Sequence, residues 1–187
     1  MPSPIEIENA RAFYDTYAFI FDLPFTVQKK NTLLTALMGG EPWSWRVVGI
    51  TAAALDGLAR HDFNYQRAHK AKIRICRAHC VPRIETAHVL FKEKHSREQF
   101  FKRFLETDVT VLALKSENKR RGPSQYVPID LQRNLFPSRS VSFRYSRDEA
   151  TYLRELQANY KTSKVALVTR PDTEGGDGLK DEAVIAA

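Results

Sequence analysis

An α+β fold, with a small central β-sheet flanked by N- and C-terminal helices, is what this sequence predicts, and three observations carry the prediction. Apolar residues recur at helical spacing near both ends, as Ala10, Phe13, Tyr14, Tyr17 and Phe21 and again as Tyr152, Leu153 and Leu156. Between them stands VTVLAL, Val109 to Leu114, a β-branched and apolar run of strand length. Breakers such as Leu23-Pro24, Gly39-Gly40 and Gly122-Pro123 divide the chain into short elements. At 187 residues with 43% apolar side chains, the chain can bury one full core. Residues 1–170 are therefore expected as one domain, with 1–63 as a helical N-terminal part, and 171–187 as a flexible acidic tail.

In chain order, Ile5 to Phe21 fits an amphipathic helix whose early acids, Glu6 and Glu8, lie near the positive dipole end. Thr26 to Met38 gives a second helix stopped by Gly39. Trp43 and Trp45 straddle Ser44 and lead into a short strand at Arg46-Val47-Val48. Thr51 is a good N-cap for a helix over TAAALDGLARHDF, whose alanines read first as close packing in the core and, as the alternative, loosely resemble the second half of a helix-turn-helix. A short strand is expected over Ile73–Cys76. One or two helices follow over Thr86–Leu105, broken near His95-Ser96, with Phe100, Phe101 and Phe104 as an inward stripe. After the Val109–Leu114 strand and Gly122-Pro123 the chain reads as irregular. Val141–Tyr145 is a further strand candidate, SRDE at Ser146 is a capping box opening a helix to Tyr160, and Val165–Val168 is a last strand.

The net charge of +7 and pI near 9.5 point to an acidic partner, and the excess is local. Between Arg60 and Arg121 there are 16 Lys and Arg against 7 Asp and Glu. Such a concentrated excess fits a polyphosphate, DNA or RNA, better than general solubility. Only two cysteines occur, Cys76 and Cys80, which makes no disulfide framework and suits a reducing cytoplasm. No run of about 18 apolar residues is present, so no membrane partner is expected. Neither GxGxxG, GxxxxGK[ST] nor GxSxG occurs, which leaves dinucleotide, P-loop and serine-hydrolase chemistry without a motif.

Cleaving a phosphodiester needs a base, a divalent ion and cations that offset charge. His79 closes an apolar segment between Arg77 and Arg83 and is the candidate base. Asn118 offers a neutral oxygen to a hard metal such as Mg²⁺, and Asp108 or Glu117 could add a carboxylate. Arg67, Lys70, Lys72, Arg74, Arg77, Arg83, Lys115, Lys119, Arg120 and Arg121 are the candidate nucleic-acid contacts. Glu117-Asn118-Lys119 also spells ExK, half of another nuclease motif, for which Asp62 or Asp108 would be the first carboxylate.

The layout of RICRAHCVPR followed by DVTVLALKSENKRRG resembles the His-Me finger, or HNH, endonucleases, and within them the endonuclease VII type that ends in Asn. The resemblance covers about 45 residues. It implies a ββα-metal element, His79 as general base, Asn118 as terminal metal ligand, and Asp108 in the place of the middle Asn that orients the base. The expectation is thus a magnesium-dependent DNA endonuclease of restriction or phage type, for which a homodimer is one admissible assembly. The alternative is a non-catalytic DNA-binding regulator or structural protein that contacts phosphate through residues 67–121, and an RNA-binding accessory protein is a third option.

Overall fold

A computed structural model describes residues 9–41, 43–118, 122–133, 135–136 and 146–169. It is mixed α and β, as the sequence predicts. Helix α1 (Ala10–Asp22) ends at Leu23, whose extended backbone is imposed by the following proline. Helix α2 (Val27–Met38) begins at Thr26, whose hydroxyl accepts from the Lys29 amide, and stops at Gly39. Helices α5 (Arg83–Lys92) and α6 (Arg97–Thr107) complete the helical half. They are parted where the Ser96 and Gln99 side chains cap each other's backbone, which is the break expected near His95-Ser96.

These four helices bury an aromatic core. Tyr17, Phe100 and Phe101 are fully enclosed, with the Tyr17 and Phe100 rings stacked 4.1 Å apart. The Tyr17 hydroxyl donates to the Leu90 carbonyl at 2.7 Å, so its polar end is satisfied. Burial pushes the phenol up to about 12.

The second half is a sheet with helices α3 (Ala52–Ala59), α4 (Tyr65–Lys70) and α7 (Arg147–Lys161). Its strands are β1 (Arg46–Ile50), β2 (Ile75–His79), β3 (Val109–Leu114), β4 (Gln125–Pro128) and β5 (Val168–Thr169), in the order β2-β3-β1-β4-β5. β1 and β3 are parallel, and the other pairs are antiparallel. Gly49 is required because a Cβ there would lie 2.1 Å from the Tyr126 ring. Val47, Ile50, Leu55, Leu58, Leu112 and Leu153 form the core between this sheet and its helices.

In β2 and β3, alternation puts Ile75, Arg77 and His79 on the same face as Thr110, Leu112 and Leu114. That face is apolar at the Ile75–Leu114 end and polar at the His79–Thr110 end. The change occurs within one strand length.

Several expectations need correction. α4 lies in a segment read without a helix, and β4 in one read as irregular. The helix after Thr51 ends at Ala59, short of the expected Phe63, and packs against α7 and β3 with Ala54, Leu55, Gly57 and Leu58 buried, which is the core-packing reading; Ala53 and Asp56 are its exposed residues. β2 is shifted to Ile75–His79 and β5 is reduced to two residues. The ββα element is not formed in the described residues: β2 and β3 are joined through α5 and α6, and β3 runs into a turn and then β4. The Val141–Tyr145 strand, the start of the first helix and the acidic tail lie outside the described residues.

Candidate active site

Asp108 stands where α6 hands over to β3, as the C-cap of the helix, and is 3% exposed. Its Oδ1 accepts from His79 Nε2 at 3.1 Å and from Arg83 Nη2 and Nε at 2.9 and 3.2 Å. Its Oδ2 accepts from the Ser44 hydroxyl at 2.5 Å and the Trp45 amide at 2.9 Å. A buried carboxylate is tolerated only when its lone pairs are answered, and here both oxygens are. Burial alone would push this carboxyl up. The His79 hydrogen bond, the Arg83 charge and the bonds from Ser44 and Trp45 outweigh it and hold the group at about 2.

Trp45 is the second organising residue. Its φ of 55° is left-handed, a conformation that costs a non-glycine residue on the order of 1 kcal/mol or more. The Trp45 carbonyl accepts from Arg77 Nη1 at 2.9 Å and the Thr110 hydroxyl at 3.0 Å, which holds the strained residue in place. Its ring meets the His79 imidazole edge-on at 4.2 Å, and the Arg83 guanidinium lies 4.7 Å from the ring centre.

The position of His79 follows from these contacts. Asp108 is ionised, so Nε2 carries the proton in the neutral imidazole and Nδ1 keeps its lone pair. Nδ1 makes no hydrogen bond to a described residue, and the side chain is 12% exposed. The ring is clamped, with one nitrogen left over for chemistry. Ser44 is no nucleophile of a triad, because its hydroxyl is spent on the carboxylate instead of facing the imidazole.

The expected metal ligands are placed elsewhere. His79 pairs with Thr110 and Ile75 with Leu114, so the turn carrying Asn118 begins roughly 14 Å away along the ladder. Glu117 closes that turn, with Oε2 accepting from the Thr51 hydroxyl at 2.7 Å and the Leu114 amide at 2.8 Å. Asn118 lies by the Cys76 thiol, which burial pushes up while Asn118 and Lys115 oppose the shift. With Asp108 saturated as well, the residues expected to hold Mg²⁺ beside His79 do not fit one. Among the described residues, no group of three or more His, Cys, Asp or Glu side chains is placed to hold a metal ion.

The candidate cations divide in the same way. Arg67, Lys70, Lys72, Arg74 and Lys115 are exposed around the far end. Arg77 is 5% exposed and donates to the Trp45 and Phe136 carbonyls, while Arg83 is consumed by Asp108. These two therefore brace the interior, a correction to their place among the nucleic-acid contacts. Lys119, Arg120 and Arg121 lie outside the described residues. Asp62, the other carboxylate weighed for the ExK reading, is exposed and paired with Arg67 at 3.5 Å.

Ser44, Trp45 and Thr110 are site residues that sequence reasoning missed. The one available signal was the unusual Trp-Ser-Trp entry to β1. The chain matches no family model, no curated protein and no solved structure. No described helix is long and apolar enough to cross a membrane.

Proposed function

We propose that this protein hydrolyses phosphodiester bonds in DNA with His79 as the general base. The observation that carries the reading is the Asp108–His79 pair: a buried, ionised carboxylate holds Nε2 and leaves Nδ1 free on a ring fixed by Trp45. In the step this supports, Nδ1 takes a proton from water as its oxygen attacks phosphorus. The P–O ester bond breaks and the leaving oxygen is protonated from solvent. Asp108 acts through His79 as a positioning residue. No step is routed through a metal ion, because Asn118 and Glu117 do not fit one at this place.

A second reading, DNA binding without cleavage, is favoured by the saturation of Asp108. Its partners come from the Trp-Ser-Trp segment, β2 and α5, so the pair also works as a joint between the two halves of the molecule.

The deciding experiment is incubation of supercoiled plasmid and linear duplex DNA with the protein, in Mg²⁺ and in EDTA, beside His79→Ala. A general base contributes about 10²–10⁴-fold, so the variant should lose cutting by at least about a hundredfold and keep its affinity. Intact DNA with salt-sensitive binding would transfer the reading to the non-catalytic one.

A further inference from the structure

The end of the β2–β3 ladder opposite His79 carries charge that no described carboxylate answers, although the Arg74 guanidinium contacts His69 Nε2. From Phe63 to Ile84 the chain has no acidic residue. Lys70, Lys72 and Arg74 follow one another there, and the Lys115 amide donates to the Arg74 carbonyl at 2.7 Å, which brings the turn after β3 against them. All four side chains are exposed, and among the described residues none has a carboxylate within ion-pair distance. The nearby acids are already occupied, Asp62 by Arg67 and Glu117 by Thr51 and the Leu114 amide.

The backbone under these cations is fixed. Ala71, Lys72 and Ile73 donate their amides back to Arg67, His69 and Ala68 at 3.0, 3.1 and 2.9 Å. Lys72 is held at φ 65°. Ala68 is fully buried in the sheet core and anchors the whole tip. A rigid tip loses little freedom on binding, which raises the affinity gained per contact.

We infer that this tip is a docking surface for the sugar–phosphate backbone of duplex DNA, separate from the His79 site. The ligand is a polyanion because the surface offers cations and an exposed amide, Asn118. It is a duplex because single-strand binding relies on aromatic platforms. Among the described residues of the tip the one Phe, Tyr or Trp is Tyr65, which is half-buried and packs on the core with its ring 5.8 Å from the His69 imidazole. The inference rests on DNA as the partner but not on its hydrolysis.

The test is fluorescence anisotropy with a short duplex and its single strand across a salt series, for the parent and for Lys70→Gln/Lys72→Gln/Lys115→Gln. A control, Lys92→Gln/Lys102→Gln/Arg103→Gln, makes the same charge change on the helical half. Each phosphate-contacting cation contributes about one to the salt slope, so the first variant should lower the slope by about three and weaken duplex binding at least about tenfold. The control and His79→Ala should leave the slope unchanged. Equal losses in the two triple variants, no loss in the first, or tighter binding of the single strand would each overturn the surface. Uncut plasmid with duplex binding lost only in the first variant would defeat hydrolysis and leave the surface standing. Plasmid cut equally well by parent and first variant at sub-saturating DNA would defeat the surface alone.

Discussion

At one end of the β2–β3 ladder Arg77, Arg83 and His79 turn inward onto Asp108 and backbone carbonyls, while at the other Lys70, Lys72, Arg74 and Lys115 are exposed and, among the described residues, without a carboxylate partner. The strands between them span only four residue steps. What separates the two ends is the supply of acceptors. Asp108 and the Trp45 and Phe136 carbonyls can replace the water that an arginine gives up, whereas the contacts at the other end, Arg67 with Asp62 and Arg74 with His69, are made by exposed side chains. A basic segment in a sequence therefore mixes internal braces with external contacts, and residue type does not sort them.

The sharpest way to break this comparison is to remove the acceptor. Asp108→Ala leaves the Arg83 guanidinium and the Ser44 hydroxyl buried without their partner, and losing one side of a buried charge pair costs about 3–5 kcal/mol. The unfolding midpoint in urea should fall accordingly. Lys72→Ala at the exposed end should change stability by no more than about 0.5 kcal/mol. Similar costs for the two would mean that the ends do not differ in the way their contacts imply.

A second test uses pH. The Asp108 carboxyl lies at about 2 in the folded protein against a reference of 3.8. A depressed carboxyl contributes stability that is fully present above its unfolded value and is lost as pH falls through the folded one. The contribution is on the order of 2 kcal/mol and should vanish between about pH 4 and pH 2. Other carboxylates titrate in the same window, so the quantity to measure is the difference between the parent and Asp108→Asn. That difference should shrink on acidification. A constant difference would show that the pair's charge adds nothing beyond its shape.

These effects also mark where sequence reasoning held. Val109–Leu114 was legible because six apolar and β-branched residues form a pattern that no tertiary contact had to supply. Thr51 was legible because N-capping is local, and its hydroxyl does accept from the Ala54 amide at 3.1 Å. The Asp108 and His79 side chains meet at 3.1 Å, and the roles that the resemblance implies for them belong to the proposed function. α4 was hidden because its six residues bury only Ala68, too little to create a period. Arg77 was misread because it donates to main-chain carbonyls, those of Trp45 and Phe136, which leave no trace in residue type. Asn118 was misplaced because spacing along the chain says nothing about which end of a strand pair a residue occupies.

The smallest test concerns the contact that ties the exposed end to the core. Thr51 is 3% exposed, caps α3, and donates to Glu117 in the turn that carries Lys115. Replacing its hydroxyl by a methyl in Thr51→Val removes both roles with little change in volume, and N-cap losses cost about 1 kcal/mol. Thr51→Ser should recover most of that in the urea midpoint, because it restores the oxygen. If the turn owes its position to this bond, Thr51→Val should also weaken duplex binding without changing the salt slope, since the cations remain but are less well held. A lower slope would instead mean that a phosphate contact itself had been lost, and the exposed end would then depend on the core for more than its alignment.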